Sequence, residues 1–427
     1  MSRPALPFFT AYDPIGTSEG TLDPMGLYQI ADQLAVRLVP AVRERMQRIR
    51  FLTTMAVGTR VIEDIAGVAT RPDSAPFLAW EWLVVEAFVR ASESQPMAQG
   101  VAGVQVVRRA IEKFGHVDAT TYLKTPRVFG FHGIYKRLAV HLGITDVHLE
   151  LREQGAALVD AWMDDFPDGG RAGAARLIER CAIAVRRGLE KRPPRTAAPF
   201  GTEEWEAVAG ALNPDRVGRR EKRLLRDLLL QQGDAAVGAL APIWHCLEDV
   251  PDEAPDAEVL QELAARHPEY ASLVGAIDAF ERFARGLQDA FDCMRNAAGE
   301  AGMLELPLLA SVPEFTELTA ALPSLYADAE RAFASDGAAQ GTAFAARFAP
   351  FGSSMAPEAL ANEVLAHHVR IQRDKSAGGK RPWFDAVDDA RRYWRASYRL
   401  PAWSPNPGTF VHEYRCAPIR RFRKDLT

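Results

Sequence analysis

Apolar residues recur three and four positions apart along most of this chain, which is the spacing of helices with one buried face. Over residues 27–55 that period is broken at Pro40, so the pattern predicts a helix, a stop, and an Arg-rich helix carrying Arg43, Arg45, Arg48 and Arg50 before an apolar one. Residues 76–91 (PFLAWEWLVVEAFVRA) are apolar on nearly every face and predict a core helix, with Trp80, Trp82 and Phe88 as packing residues. A Ser-Glu-Ser-Gln-Pro turn follows it, then a helix over 104–114. Residues 171–192 form another helix that ends in the Pro-rich run KRPPRTAAPFGT, the best domain boundary in the chain. Residues 203–302 read as almost wholly helical, and Ala-rich helices resume from 304 to about 349, with one more over 357–372. Within the middle part, Arg219, Arg220, Lys222, Arg223 and Arg226 read as a solvated face paired with Glu221 and Asp227.

One stretch, 116–162, departs from this monotony. Asp118 is placed to cap a short helix ending near Lys124-Thr125-Pro126. In 132–142, Ile134, Leu138 and Leu142 share a face while Lys136, Arg137 and His141 lie opposite, and Gly143 ends the helix. Val147, Leu149 and Leu151 then alternate with His148, Glu150 and Arg152, the period of a half-buried strand, and a helix follows to Trp162. Helix, β-prone segment and helix in this order predict a winged helix-turn-helix-like module over 104–162, although its wing is short and acidic at Glu150 and Glu153. Lys136 and Arg137 are placed to meet phosphates or base edges, flanked by His132, Tyr135 and His141, with Lys124 and Arg127 on the preceding turn.

The net charge of −5 argues against a chain coated in nucleic acid, but the charge is uneven. From Arg370 onward there are 14 basic against 6 acidic residues, so the rest of the chain carries −13. Nine aromatics are interleaved with this basic tail, a composition suited to phosphate contact and base stacking. Its candidate contacts are Arg370, Arg373, Lys375, Lys380, Arg381, Arg391, Arg392, Arg395, Arg399, Arg420, Arg421 and Arg423. The competing reading packs Trp383, Phe384, Trp394, Tyr398 and Trp403 onto the body and pairs the arginines with its acidic excess. Four scattered cysteines with no CxxC exclude a Cys-rich zinc site, and no signal peptide or spanning apolar run is visible, so a cytoplasmic protein without membrane contact is expected.

Catalytic signatures are weak. Gly16-Thr17-Ser18-Glu19-Gly20 matches GxSxG but lacks the strand and helix of a nucleophile elbow, and reads as a turn in an extended arm, 1–26. Gly379-Lys380 resembles the end of a phosphate-binding loop, yet Asp374 and Arg381 stand where that loop needs Gly and Ser or Thr. Glu363, His367 and His368 share a helix without forming HExxH, with His412 downstream. The reading is therefore a non-enzymatic protein with no cofactor and no metal, the alternative being a metal-dependent nuclease around Glu363, His367, His368 and Asp385.

Three patches, DPMGLYQIADQLAVRLVPAVRERMQRIRFLTT, YLKTPRVFGFHGIYKRLAVHLGI and HHVRIQRDK with FVHEYRCAPIRRFRKDL, together resemble uncharacterised accessory proteins of bacterial phage-defence gene clusters, encoded beside large helicases. The resemblance covers about a third of the chain. It implies a DNA-binding accessory subunit, acting on duplex or single-stranded DNA with a protein partner in a multi-subunit complex, or a scaffold of such a complex that never meets DNA. The expected architecture is mainly α and multi-helical: an arm (1–26), an N-terminal helical domain (27–192), a helical middle (203–302) and a C-terminal helical region with the basic tail (304–427).

Overall fold

In the computed structural model the described residues are 23–65, 76–92, 100–233, 236–337, 339–375 and 378–427. The GxSxG turn, most of the 1–26 arm and most of the Ser-Glu-Ser-Gln-Pro turn lie outside them. The chain is mainly helical. In order come α1 (Tyr28–Leu38), α2 (Phe51–Ile62), α3 (Pro76–Ala91), α4 (Val104–Phe114), α5 (Pro126–Phe129), α6 (Phe131–His141), α7 (Glu153–Asp164), α8 (Gly170–Glu190) and α9 (Thr202–Ala211). Then follow α10 (Arg219–Leu229), α11 (Leu240–Asp249), α12 (Asp256–Arg266), α13 (Ala271–Ala297), β1 (Met303–Glu305), α14 (Pro313–Asp336), α15 (Gln340–Phe348), α16 (Pro357–Asp374), β2 (Phe384–Ala386), β3 (Arg391–Trp394) and α17 (Cys416–Leu426).

These elements form two compact units rather than three consecutive domains. The larger holds residues 36–252 with 415–427, the smaller 23–35 with 253–414, and the division falls within α1. The expected boundary at the Pro-rich run is corrected by its bonds. Thr196 N–H donates to the Val117 carbonyl (2.8 Å), Val117 N–H donates to Thr196 Oγ1 (2.9 Å), and Arg195 bridges to Asp118. The run is a strap across the larger unit, because a Pro-rich segment donates few backbone bonds but can still lie on a surface and accept them.

In the larger unit, α2 and α3 form the core. Every residue of α3 except Pro76 and Arg90 is buried, and the Trp80 indole N–H reaches the Thr54 carbonyl of α2 (3.2 Å). The Arg-rich segment before α2 is not a helix. Residues 39–50 run as turns, with Ala41 at φ 67°, because Arg48 and Arg50 leave the chain to bind distant groups. Arg50 meets Glu221 Oε1 (2.9 Å) and donates to the Asn213 carbonyl (2.6 Å), so Glu221 is a buried partner and not part of the solvated face of α10. The smaller unit is built on α13 and α14, with Phe280, Phe283, Tyr326, Phe333, Phe344 and Phe348 in mutual ring contact. Beside them lies an antiparallel sheet in the order β1-β3-β2, registered by Leu304 opposite Arg392 and Asp385 opposite Tyr393.

Candidate functional site: a basic cleft beside α6

The site begins with an acid where an apolar helix should have none. Glu81 is fully buried on α3, and burying a carboxylate costs several kcal/mol unless hydrogen bonds replace its water. Three donors do so. Tyr122 Oη–H donates to Oε1 (2.7 Å), His132 N–H donates to Oε2 (3.1 Å), and the His132 ring Nδ1 lies 3.0 Å from Oε2. Burial first, and then the Glu81 charge, push the Tyr122 hydroxyl well above its ordinary range. Because a carboxylate only accepts, Nδ1 of His132 carries the hydrogen of that contact.

The loop and helix above Glu81 are fixed by two close approaches. Gly130 is the one residue between α5 and α6, and a Cβ there would stand 1.9 Å from Glu81 Oε1. A Cβ on Gly133 would stand 2.4 Å from the Arg127 carbonyl, so α5 can fold this tightly on α6 only with glycine at both places. Asp118, expected to cap a helix, instead makes a turn by accepting from the N–H groups of Thr120 and Thr121 (both 2.8 Å). The expected strand after α6 is also corrected. One isolated bridge joins Thr145 and Leu151, Leu149 sits at φ 65°, and Asp146 Oδ1 accepts from His148 and Glu150 N–H (2.8 and 2.9 Å). Those bonds, the Glu150 one foremost, hold the Asp146 carboxyl below its usual range. The segment is a side-chain-organised turn rather than the expected strand.

Together α3, the 119–128 segment, α6 and the 147–149 turn enclose a cleft of about 1190 Å³. Its apolar lining includes Phe77, Leu78, Trp82, Leu123 and Val140. Around this lie Lys124, Arg127, Lys136, Arg137 and Arg43, and none of the described lining residues is acidic. Lys124, Lys136 and Arg137 form no ion pair or hydrogen bond among the described residues. Uncompensated cations over a water-poor floor raise the local potential and attract anions. A second cavity, of about 690 Å³, mixes Arg50, Arg176 and Arg180 with Asp165, Asp168 and Glu203, and its opposing charges cancel much of any such field.

The predicted contacts divide sharply. Lys124, Arg127, Lys136 and Arg137 converge on the cleft. His132 also lines it but is only 8% exposed. Tyr135 is buried, its hydroxyl accepting from Arg48 N–H (2.9 Å), and His141 Nε2 is 3.0 Å from the Ala236 carbonyl. Most side chains of the basic tail have partners within the fold. Arg370 pairs with Glu363, Arg373 with Asp374, Arg391 with Asp388, and Arg381 and Arg395 both with Asp385. Lys375 reaches the Asp23 carbonyl, Lys380 N–H donates to the Gln372 carbonyl, and Arg392 and Arg399 donate to nearby carbonyls. Arg420, Arg421 and Arg423 likewise bind carbonyls of 251–252, 44–46 and 247. Trp383, Phe384, Trp394 and Tyr398 are buried, so these four tail aromatics pack within the fold and offer no exposed ring for base stacking.

The side chains of the nuclease alternative also have partners within the smaller unit. Glu363 and Asp385 are held by arginines, while His367 Nε2–H and His368 Nδ1–H donate to the Met25 and Pro24 carbonyls (2.8 and 2.9 Å). His368 Nε2 accepts from Trp383 N–H (3.1 Å). Burial depresses the two imidazoles to about 4 and about 3, leaving both neutral. Among the described residues no three His, Cys, Asp or Glu side chains are grouped to hold a metal ion, and no helix is long and apolar enough to cross a membrane.

Residue patterns alone missed Arg43, Trp82 and His148 as cleft residues, and Glu81 as the buried acid that holds Tyr122 and His132. The signal for Glu81 was present: an acid inside an otherwise apolar helix must have buried donors. No family model, no curated protein and no solved structure matches this chain.

Proposed function

We propose that this protein is a DNA-binding accessory subunit whose α6 cleft meets the DNA backbone. The observation that carries the reading is the convergence of Lys124, Arg127, Lys136 and Arg137 on one cleft whose described lining holds no acid. Phosphates release counterions when such cations replace them, so affinity should depend steeply on salt. The tight α5–Gly130–α6 corner supports a helix-turn-helix-like reading of 104–162, in which α6 turns Lys136 and Arg137 outward. The winged form of that reading would use the 145–151 turn as its wing.

The test is an equilibrium titration of labelled DNA by the intact protein at several salt concentrations. With three or four phosphate contacts, log K against log[salt] should slope at about −2 to −4. The double variant Lys136→Glu, Arg137→Glu should weaken binding at least tenfold and flatten that slope. Salt-insensitive binding, or a variant as tight as the parent, sinks the reading.

A second reading, a docking surface for a protein partner such as a helicase subunit, is favoured by the rim of the cleft. Val128, Phe129 and Val147 are 50%, 43% and 59% exposed, an apolar edge of the kind that protein interfaces bury. A partner complex indifferent to the charge reversal, with no DNA binding by either component, would favour it.

A further inference from the structure

We propose that the exposed face of α10 is a second contact for the DNA backbone, so that the larger unit holds DNA at two basic surfaces and not at the α6 cleft alone. The proposal rests on the DNA-binding reading and extends its footprint.

Charge is divided between the two units. Residues 36–252 with 415–427 hold 35 basic and 29 acidic residues, and the rest of the chain holds 16 and 27. A polyanion is therefore drawn to the larger unit and repelled by the smaller one.

Within the larger unit, α10 carries a row of cations. Arg219, Lys222, Arg223 and Arg226 lie three or four residues apart, within about 100° of arc, and span about 10 Å along the helix. Arg219, Arg223 and Arg226 are exposed, Lys222 is half-buried, and Arg216 is exposed just before the helix. None of these five side chains forms an ion pair or hydrogen bond among the described residues.

The acids that could neutralise the row are engaged elsewhere. Glu221 turns into the core, where Arg50 and Thr53 hold it. On α7, Asp164 pairs with Arg171 and Arg220, and Asp165 accepts from the Arg220 and Glu221 N–H groups (2.7 and 3.1 Å). Asp215 is taken by Arg48. Asp227 stays at the surface of α10 but pairs with no member of the row. The neighbouring helix α17 adds the exposed Lys424, and its Arg421 and Arg423 bind neutral carbonyls that leave their charge in place. Its Asp425 is held by Arg48.

Like charges three and four residues apart destabilise a helix, so the row carries a repulsion that nothing within the fold relieves. A chain of phosphates relieves it and releases counterions in doing so. A ligand with a single charge engages only one end of the row, whereas a continuous phosphate backbone can follow its length.

The experiment is a titration of labelled duplex DNA by the intact protein at several salt concentrations. With both surfaces engaged, the slope of log K against log[salt] should steepen from the −2 to −4 of the cleft alone to about −5 to −7. The triple variant Arg219→Gln, Arg223→Gln, Arg226→Gln should bind at least about tenfold more weakly and flatten the slope by about 2 to 3. Its thermal midpoint should equal or exceed that of the parent, because like-charge repulsion has been removed. Combined with Lys136→Glu, Arg137→Glu, the two losses should multiply, since the surfaces share no residue. The matched control is Arg186→Gln, Arg187→Gln, Lys191→Gln, which removes the same charge from exposed positions at the end of α8 and should stay within about threefold of the parent. A control that weakens binding as much as the α10 variant overturns the proposal, and so does an α10 variant as tight as the parent. In the latter case weakening by the cleft variant leaves the DNA-binding reading standing. No salt-sensitive binding by the parent removes both. A loss confined to the α10 variant keeps this contact and sinks the cleft. If the triple variant is misfolded by circular dichroism, Arg223→Gln alone serves, with an expected slope change of about 0.9.

Discussion

Glu81 and Glu281 each sit wholly buried on a core helix and each accept from a histidine backbone N–H, from the same histidine's Nδ1, and from a tyrosine hydroxyl. His132 and Tyr122 serve the first, His412 and Tyr414 the second. The arrangement pins a loop to a helix by giving one carboxylate enough donors to offset its lost water. Gly130 lies against Glu81, so Gly130→Ala should push the carboxylate off its donors and cost on the order of 2–4 kcal/mol, read as a lower denaturation midpoint; an unchanged midpoint contradicts the contact. His367 and His368 give a pH prediction. Both titrate lower when folded, so the unfolded chain binds more protons below about pH 6.5, and their contribution is intact above that pH. Between pH 6.5 and 4, stability should fall by up to about 1.4 kcal/mol per pH unit for each imidazole. Asp289, raised to about 6 by burial, opposes this below pH 6, one group against two. Urea midpoints at pH 7 and pH 5 check it: they should differ in the parent and converge in His367→Gln, His368→Gln. At this scale the basic face of α6 was legible, since Arg137 is exposed as its position on the helix requires. The burial of His132 and Tyr135 was not, because the buried face of α6 covers nearly half of its circumference and takes in polar residues that have partners elsewhere in the chain.

Helices with sustained period were legible almost to the residue: 104–114 as α4, 357–372 within α16, and the all-apolar 76–91 as α3. Two elements misled because their pattern served something other than regular structure. The arginines of 43–50 alternate with apolar residues in a helix-like way, yet Arg48 binds Asp215 and Asp425, and these long bonds outweigh weak local propensity. The alternation over 147–152 belongs to a turn in which one residue takes a left-handed backbone. An element that composition concealed is α17. Its Cys416, Ile419, Phe422 and Leu426 are buried in the larger unit, and Asp425 accepts from Ile49 N–H (3.0 Å). Phe422→Ala should therefore cost about 3–5 kcal/mol and destabilise the unit that carries the cleft. Denaturation followed by Trp fluorescence, with DNA affinity measured alongside, checks this; a loss below 1 kcal/mol would mean that α17 is peripheral.

On the scale of the whole molecule, a linear reading assumed that each domain is one stretch of chain, and neither unit is. Residues 23–35 belong with 253–414, and 415–427 with 36–252. Nothing local announces such an exchange, because burial against remote sequence leaves the same period as burial against a neighbour. The strap at 191–202 makes the point testable. A protease site placed there, once cut, should leave the two pieces associated on a sizing column, since Thr196 and Arg195 tie back to Val117 and Asp118 inside one unit; pieces that separate in native buffer would restore a domain boundary. The place of α17 also has a consequence in time. During synthesis, residues 36–252 emerge with the apolar seat of α17 uncovered, and all of 253–414 must be made before 415–427 can fill it. At about 5–20 residues per second the nascent chain waits roughly 8–30 s with that seat open. The larger unit, most of which leaves the ribosome before residues 253–414, is thus finished last, and for that interval its open seat is an aggregation hazard.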